Sequence, residues 1–385
     1  MKLTDVCYFQ GGSQPPKNQW SDEPREGYIR MLQIRDFTQD NSKVEYVKIT
    51  NSTKKCEEKD ILIARYGASI GKILTGLSGA YNVAMMKVII DEKIVDRKFI
   101  YNFLKSDVFQ NYIKNVGQRA AQAGFNKEEL SKININLPTL KEQKNVAKEL
   151  DKVQEIIDIR EKQIEELDEL IKSQFVEMFG DPFYNEKHWT KDDMGKYISV
   201  LTDFSANGSY AVLDSQVKMY DSPNYAYMVR TTDLENNNFV TDVKYIDENA
   251  YNLLAKSKVY GNEIIMCKIG SAGKCYLMPN LNKPVSLGRN AFLFRYNNNI
   301  NPVFIYNLLI SDYGQNEISK YVRGAVTKTI TKDDARKIKI IIPPIELQNK
   351  FAEFVKQIDK QKIEIQKSLE ETKKLQESLM NKYFG

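Results

Sequence analysis

Two glycine–lysine turns are the first candidates for chemistry in this sequence. GASIGK (residues 67–72) and GSAGK (residues 270–274) each follow an apolar run. A phosphate-binding P-loop needs a longer stretch between its glycines and a Ser or Thr after its lysine, which holds magnesium. Both turns are too short, and Ile73 and Cys275 follow the lysines. We therefore interpret them as tight strand-to-strand turns. Their backbone N–H groups and lysines could still approach a phosphate group.

No catalytic or metal-binding constellation is evident. One histidine, His188, and four dispersed cysteines without a CxxC spacing supply neither a zinc site nor a His-based triad. DPFY (residues 181–184) resembles the DPPY loop of amino-methyltransferases, but it lacks the second proline, and no FxGxG loop accompanies it. KEQK (residues 141–144) contains an ExK fragment without a partner aspartate on a strand. We interpret the first as a hinge and the second as a helix start, with Gln143 facing a neighbour.

Composition sets outer limits on the function. The chain has 385 residues, 42% hydrophobic and 28% charged, and a net charge of +5. These values are ordinary for a globular protein, and the mild basicity permits nucleic-acid binding without demanding it. The sequence has no stretch of ~18 apolar residues and no secretory signal after Met1, so we expect a cytoplasmic protein with no membrane span.

The chain contains an internal repeat. FIYNFLKSDVFQNYI (from Phe99) reappears as FIYNLLISDYGQNEI (from Phe304), and the offset of 205 residues holds without a gap to the end of the chain. Upstream, RMLQIRDF (residues 30–37) matches MVRTTDL (residues 228–234). A period this long is far beyond that of a solenoid. The sequence therefore predicts two copies of one large unit.

Each copy begins with an α+β arm. ILIARYG and EIIMCKIG are typical of strands that run into glycine turns. FIYNFLKSDVFQNYIKNVG predicts one amphipathic helix stopped by Gly117. KININLP (residues 132–138) and KIKIIIPP (residues 337–344) predict strands that end at proline.

Each copy ends in about 40 residues with apolar positions spaced by four and three. Val146, Leu150, Val153 and Ile157 begin this series in the first copy. The pattern predicts a coiled-coil seam, and polar seam residues such as Arg160 fix a register or mark a partner. We favour antiparallel pairing of the two helices, with an approximate two-fold axis relating the arms. The helices carry net charges of −4 and +1, which leaves +8 on the arms. Phosphate contacts need such basic surfaces.

The order arm, helix, arm, helix resembles the specificity (S) subunit of type I restriction–modification systems. LPTLKEQ (residues 137–143) and IPPIELQ (residues 342–348) open the helices, and QFVEMFGDP (residues 174–182) ends the first. The two glycine–lysine turns are also similar to those of the family's target-recognition domains. The resemblance covers essentially the whole chain.

The resemblance implies a non-catalytic DNA-reading subunit. Each arm would read one half of a bipartite, asymmetric site in double-stranded DNA, and the helices would set the spacing between the halves. The helices would also dock two DNA adenine methyltransferase (M) subunits, and restriction (R) subunits would join the complex. S-adenosylmethionine would then belong to the M subunits, and ATP and magnesium to the motor-nuclease subunits, with no cofactor on this chain.

The resemblance also implies four domains. These are target-recognition domain 1 (residues 1–140, arm 1), a first long helix (residues 141–180), a hinge with target-recognition domain 2 (residues 181–344, arm 2) and a second long helix (residues 345–385). A coiled-coil adaptor with protein-binding arms is the alternative.

Base reading needs arginines, lysines and amides in the turns of the arms, since Arg pairs with guanine and Asn or Gln with adenine. The candidates in arm 1 are Arg30, Arg35, Lys72, Gln118, Arg119 and Asn126. The candidates in arm 2 are Arg230, Lys274, Arg289, Asn290, Arg323 and Lys328.

Overall fold

The chain divides into two units in a computed structural model that describes residues 1–119 and 124–385, without the side chains of residues 117–119. Unit 1 consists of Met1–Lys162 with Gln366–Gly385, and unit 2 is Gln163–Ile365. Each unit therefore contains one arm, the beginning of the long helix that follows it and the end of the other long helix. The predicted four-domain division remains a prediction.

Unit 1 contains two sheets, with strand orders β1-β9-β6-β7 and β2-β4-β3-β8-β5. Its strands are β1 (Cys7–Gly11), β2 (Trp20–Ser21), β3 (Tyr28–Leu32), β4 (Glu45–Lys48), β5 (Lys55–Cys56), β6 (Ile61–Ala64), β7 (Ile73–Leu74), β8 (Gly79–Tyr81) and β9 (Met85–Ile90). Its helices are α1 (Arg97–Lys105), α2 (Asp107–Arg119), α3 (Lys127–Leu130) and the first part of α4 (Leu140–Phe179).

Unit 2 repeats this plan with sheets ordered β11-β18-β15-β16 and β13-β12-β17-β14, and adds the pair β10-β19. Its strands are β10 (Thr190–Asp193), β11 (Ile198–Asp203), β12 (Ala226–Val229), β13 (Lys244–Ile246), β14 (Lys258–Val259), β15 (Ile264–Cys267), β16 (Cys275–Leu277), β17 (Val285–Leu287), β18 (Ala291–Tyr296) and β19 (Lys339–Ile342). Its helices are α5 (Tyr210–Gln216), α6 (Thr231–Glu235), α7 (Glu248–Leu253), α8 (Pro302–Ile310), α9 (Asp312–Ser319), α10 (Lys332–Arg336) and the first part of α11 (Ile345–Phe384).

The segment predicted as one helix from Phe99 to Gly117 is two helices, so that prediction was wrong. Helix α1 ends at Lys105, α2 starts at Asp107, and Gly117 lies inside α2. Ser106 separates them in an extended conformation. The same break recurs at Ser311, whose hydroxyl accepts the N–H of Gly314 and caps α9. Serine is a favoured N-cap because its hydroxyl satisfies an orphan N–H of the first turn.

The two proline-terminated segments differ from each other. KIKIIIPP contains β19, as predicted, and β19 pairs with β10. KININLP makes only one isolated bridge among the described residues, between Asn134 and Lys2, so the prediction of a strand there was wrong. Ile133 accepts the N–H of Leu3, and Ile135 donates its N–H to the Met1 carbonyl oxygen (2.9 Å each), so this antiparallel pairing is centred on the single Asn134–Lys2 bridge. β19 instead pairs with β10 over four residues.

In unit 1, the end of α11 packs antiparallel to the start of α4. Tyr383 donates to Glu149 (2.6 Å), and Lys373 donates to Glu161 (2.6 Å), so one residue number falls as the other rises. Arg160, a predicted polar seam residue, donates to the hydroxyl of Thr372 and to the Ser368 carbonyl oxygen (2.8 Å). These paired polar groups specify one register, because a shift would leave them without partners.

In unit 2, the start of α11 packs antiparallel to the end of α4. Lys362 donates to Asp168 (2.5 Å), and the rings of Phe175 and Phe351 are 5.4 Å apart. Phe179, the last residue of α4, is fully buried and lies 4.8 Å from the ring of Phe304 in α8. Aromatic packing therefore fixes this end of α4 to arm 2.

Candidate nucleic-acid interface

The two glutamines of the helix-opening motifs are structural anchors. Gln143 is fully buried, accepts the N–H of Asp96 (2.8 Å) and donates to the carbonyl oxygens of Ile94 (3.1 Å) and Pro138 (2.8 Å). The prediction that Gln143 faces a neighbour is confirmed. LPTLKEQ, one of the motifs that carry the family resemblance, therefore ties the start of α4 to arm 1 through Gln143.

Gln348 makes the equivalent three bonds in unit 2. It accepts the N–H of Asn301 (2.8 Å) and donates to the carbonyl oxygens of Asn299 (3.1 Å) and Pro343 (2.8 Å). These bonds hold each long helix at one position on its arm. A shift of the helix would leave buried polar groups without partners, at a cost of about 1–3 kcal/mol for each group.

In arm 2, a parallel strand pair brings three of the candidate residues together. Strands β12 and β17 are parallel, with Val229 opposite Leu287. Arg230 follows β12, while Arg289 and Asn290 follow β17. Since carboxyl ends of parallel strands meet at one sheet edge, these side chains converge from distant positions in the sequence. The sequence patterns did not show this pairing, because the strands are short and far apart along the chain.

A cavity of about 310 Å³ lies between these loops. Arg230, Arg289 and Asn290 line it, together with Thr231 and Thr232. Its remaining walls are mostly apolar and are formed by Phe204, Val217, Met219, Met228 and Gly288. The cavity thus combines an apolar floor with hydrogen-bonding side chains that could meet the edges of bases.

Acidic partners hold both arginines of this cavity. Arg230 donates to Asp233 (2.5 Å) and to the carbonyl oxygen of Asp242 (2.5 Å). Arg289 donates to Asp214 (2.8 Å), and its guanidinium lies over the rings of Phe204 and Tyr210. These contacts fix the orientation of the guanidinium groups. A fixed guanidinium loses less conformational entropy when it binds a ligand.

Three loops of arm 2 lie side by side through backbone hydrogen bonds. Lys268 N–H donates to the Asn290 carbonyl oxygen (2.8 Å), Gly270 N–H to that of Lys328 (2.9 Å) and Ile330 N–H to that of Lys268 (3.1 Å). The GSAGK turn is thus flanked by the loops that carry Asn290 and Lys328. We call residues 268–274, 288–290 and 323–332 together the basic edge of arm 2.

Most cations of this basic edge have carboxylate partners. Lys274 donates to Glu235 (2.6 Å), which raises the pKa of Lys274, and Arg323 donates to Asp334 (3.2 Å). Lys328 is exposed and makes no ion pair within the described part of the chain. Asn290 is exposed and has a positive φ of 68°.

Arm 1 has the same construction with different side chains. Strands β3 and β8 are parallel, with Leu32 opposite Tyr81. Arg30, on β3, donates to Asp36 (3.1 Å), and Arg35 in the next turn pairs with Glu45 (2.5 Å). Both guanidinium groups are therefore held by neighbouring carboxylates.

The other arm 1 candidates lie in turns. Lys72, in the turn between β6 and β7, is exposed and makes no ion pair within residues 1–119 and 124–385. Asn126 caps α3, where its side chain accepts the N–H of Glu129 (3.1 Å). Gln118 and Arg119 close α2, but their side chains lie outside the described residues. The role of each candidate in binding DNA remains a prediction.

The structure adds charged residues that sequence reasoning missed. Lys268 and Lys332 both donate to Asp203 (2.8 Å each), whose side chain is 8% exposed. Burial raises the pKa of Asp203, but the two ammonium groups outweigh burial and hold that pKa below its ordinary value. In arm 1, Arg65 follows β6 at the same place as Lys268 follows β15. For Arg65 and Lys268 a signal was present, because both residues stand in the two matching apolar runs that lead into the glycine–lysine turns.

The cysteines and the histidine that the sequence offers for chemistry are dispersed over buried positions and one exposed turn. All four cysteines are free and buried, and burial raises the pKa of Cys7 to about 12 and that of Cys56 to about 11. His188 is exposed in a turn, with its N–H donated to the Asn185 carbonyl oxygen (2.8 Å). The described residues hold no group of three or more His, Cys, Asp or Glu that could bind a metal ion. None of the described helices has the length and apolar character needed to cross a membrane.

Comparison with known proteins places this chain in a family. The family model of the type I restriction modification DNA specificity domain matches residues 1–169 and 201–375. The chain therefore belongs to the type I restriction–modification specificity subunit family. It has the family's mixed α+β architecture of two such domains with two long helices.

Individual relatives agree over nearly the whole chain. The type I restriction enzyme MjaVIII specificity subunit of Methanocaldococcus jannaschii is 27% identical, with 99% of this chain and 90% of that protein aligned. The MjaIX specificity subunit of the same organism is 23% identical over 99% of this chain and 91% of that protein.

Two solved structures share the fold. The S subunit of a type I restriction–modification system from M. genitalium has a TM-score of 0.57 at 17% identity and covers 100% of this chain and 95% of its own. A chain from a study of complex assembly and conformational transition of the type I R-M system has a TM-score of 0.59 at 14% identity, with coverage of 100% and 96%.

Proposed function

We propose that this chain is the sequence-reading, non-catalytic subunit of a cytoplasmic type I restriction–modification complex. Each arm reads one half of a bipartite, asymmetric site in double-stranded DNA. The basic edge of arm 2 is the observation that carries this proposal. It brings Arg289, Asn290 and Lys328 to one set of hydrogen-bonded loops, and Arg230 lines the same cavity as Arg289 and Asn290. Such groups suit phosphates and base edges.

The two arms support an asymmetric site. Their loops carry different side chains on the same backbone plan, so their half-sites should differ. Two weak readers in one chain bind with a raised effective concentration once the first is bound. The long helices then set the spacing between half-sites without touching the bases between them.

The long helices have surface left for partners. Ile156 and Ile159 of α4 are exposed in unit 1, and Leu170 of α4 and Ile363 of α11 are exposed in unit 2. Apolar positions outside the seam suit helical partners. We propose that two M subunits dock on the long helices and that R subunits join the complex. S-adenosylmethionine, ATP and magnesium bind those partners, and this chain holds no cofactor.

A methylation map tests the proposal. Genome-wide adenine methylation is compared between the parent strain and a strain that lacks this gene. Loss of one bipartite motif supports the proposal and identifies both half-sites. An unchanged map, despite an active methyltransferase co-expressed with this chain, contradicts it.

Mobility shift then separates DNA reading from an adaptor role. The complex with its methyltransferase should bind a duplex with the mapped site, and its affinity should fall steeply with salt because counterions are released from phosphates. A coiled-coil adaptor with protein-binding arms would show no dependence on DNA.

A further inference from the structure

The loop of residues 323–329, here called the Val326 loop, has a fixed shape. Arg323 N–H donates to the Thr329 carbonyl oxygen (2.9 Å), and Thr329 N–H donates back to that of Arg323 (2.7 Å). Gly324 has a φ of +107°, and a Cβ there would lie 2.2 Å from the Thr327 carbonyl oxygen. The loop therefore closes so tightly that glycine is required at residue 324.

The base of the Val326 loop is anchored to the basic edge of arm 2. Lys328 accepts the N–H of Gly270, and the N–H of Ile330 reaches the carbonyl oxygen of Lys268. Ile330 is buried, and the next residue, Thr331, caps α10. The tip is thus held at a set distance from the GSAGK turn.

The tip carries an apolar side chain with cations on either side. Val326 is 98% exposed, more than any other large hydrophobic residue in the described part of the chain. Arg323, with a side chain 74% exposed, precedes it, and the exposed Lys328 follows it. Closure of the loop depends on Gly324 and on the Arg323–Thr329 bonds. Nothing in the fold of arm 2 requires valine at the tip.

We propose that Val326 contacts the 5-methyl group of a thymine in the half-site that arm 2 reads. This inference rests on the proposed function. The thymine methyl is the one apolar group that base pairs present in the major groove, and small apolar side chains contact it. Arg323 and Lys328 stand where phosphates would flank such a contact. Valine is too short for the alternative role of a wedge between base steps, for which longer side chains are used.

The inference is tested by pairing a change in the protein with a change in the DNA. The complex of this chain with its methyltransferase is titrated with the mapped duplex, in which each thymine in turn is replaced by deoxyuridine. Deoxyuridine lacks the 5-methyl group and keeps the same hydrogen-bonding edge. Val326→Ala is the matched variant, because the sequence has Ala121 at the equivalent position of arm 1.

We expect one thymine at which deoxyuridine weakens wild-type binding about fourfold, the contribution of one buried methyl group. The same replacement should weaken the binding of Val326→Ala clearly less than fourfold, since alanine has lost the two methyl groups of valine and keeps at most a smaller contact. Val240→Ala, at the 84%-exposed Val240 of another arm 2 loop, should keep the fourfold effect.

Additive effects at every thymine would overturn the inference, as would a half-site for arm 2 without an A·T pair. As a control on the proposed function, the affinity of the wild-type complex for the unmodified duplex is compared with its affinity for a scrambled duplex. If the wild-type complex prefers the mapped duplex but the effects of Val326→Ala and deoxyuridine are additive, the thymine contact is wrong and the proposed function stands. If the wild-type complex binds the mapped and the scrambled duplex equally, both the proposed function and this inference are wrong.

Discussion

The two arms have one backbone plan but hold their charges differently. Arg65 and Lys268 each donate their backbone N–H to the loop after the parallel pair, to Ala84 and Asn290 respectively (2.8 Å each). Asp203 neutralises Lys268 in arm 2. The equivalent position in arm 1 is Gly11, which pairs with Met86 as Asp203 pairs with Phe292.

The consequence is a different charge at the same place. Without a carboxylate at Gly11, Arg65 donates to the carbonyl oxygens of Val83 (3.3 Å) and Phe125 (3.3 Å). No ion pair of Arg65 occurs among the described residues. A guanidinium without a carboxylate partner can pair with a phosphate or a guanine. The charge of Lys268 is instead balanced by Asp203, and this ion pair supports the loop. One fold thus presents two different surfaces, as two readers of different sequences require.

The helix ends give the largest contrast. Unit 2 packs four phenylalanines together (Phe175, Phe179, Phe304 and Phe351), whereas the equivalent residues of unit 1 are Met380, Phe384, Phe99 and Val146. Phe351→Ala should lower the free energy of unfolding by about 3–5 kcal/mol, because it removes a fully buried ring. Denaturant unfolding of the full chain measures this loss.

Val146→Ala is the matched control in unit 1. It removes two methyl groups and should cost about 2 kcal/mol. A loss for Phe351→Ala no larger than that for Val146→Ala would contradict the prediction that the buried ring of Phe351 stabilises this end of the long helices.

The buried glutamines Gln143 and Gln348 make the same three hydrogen bonds in the two units, so they test a feature that the two arms share. Gln143→Ala and Gln348→Ala should each lower stability by about 2–3 kcal/mol, since each leaves three backbone groups without a partner. Hydrogen exchange should show the loss in unit 1 for the first variant and in unit 2 for the second. Gln163→Ala, at an exposed position of α4, is the control and should change little. A large loss for one glutamine alone would mean that the two anchors are not equivalent.

The Asp203 cluster should make arm 2 sensitive to acid. Because the pKa of Asp203 is lower in the folded protein than in the unfolded chain, its charge stabilises the fold above its ordinary pKa. That stability is lost as the pH falls through the unfolded value and then through the folded one. Wild type should exceed Asp203→Asn in stability near pH 7, and the two should converge as the solution is acidified. Unfolding curves from pH 7 to pH 3 measure this, and a constant difference would contradict the charge pairing.

The smallest expected effect concerns the lysines of the two turns. Lys72→Gln should weaken binding to all sequences alike and reduce the salt slope by about one, as loss of one phosphate contact does. Lys274→Gln should have less effect, because Glu235 already pairs with that lysine. Mobility shifts at several salt concentrations compare the two. If Lys274→Gln weakened binding more than Lys72→Gln, the prediction would be wrong, and Glu235 would instead hold Lys274 in position for DNA.

Sequence reasoning was right where the signal was local or repeated. The offset of 205 residues exposed the duplication, and the spacing of apolar residues such as Leu150 and Ile157 located the seam. It was wrong about one helix from Phe99 to Gly117, although Ser106-Asp107 and Ser311-Asp312 are N-cap signals. KININLP has the pattern of a strand, but its pairing with residues 1–3 is limited to the one bridge between Asn134 and Lys2. No pattern in the sequence indicated the parallel pairs, because β8 and β17 are three residues long.

The sequence by itself determined the duplication, the long helices and the family, since each depends on residue order along the chain. The tertiary structure decided which side chains meet. Arg230 and Asn290 lie 60 residues apart and come together because two short parallel strands end at one edge. Whether a cation is free or neutralised depends on one residue of a neighbouring strand, Gly11 or Asp203, and that proximity exists only after folding.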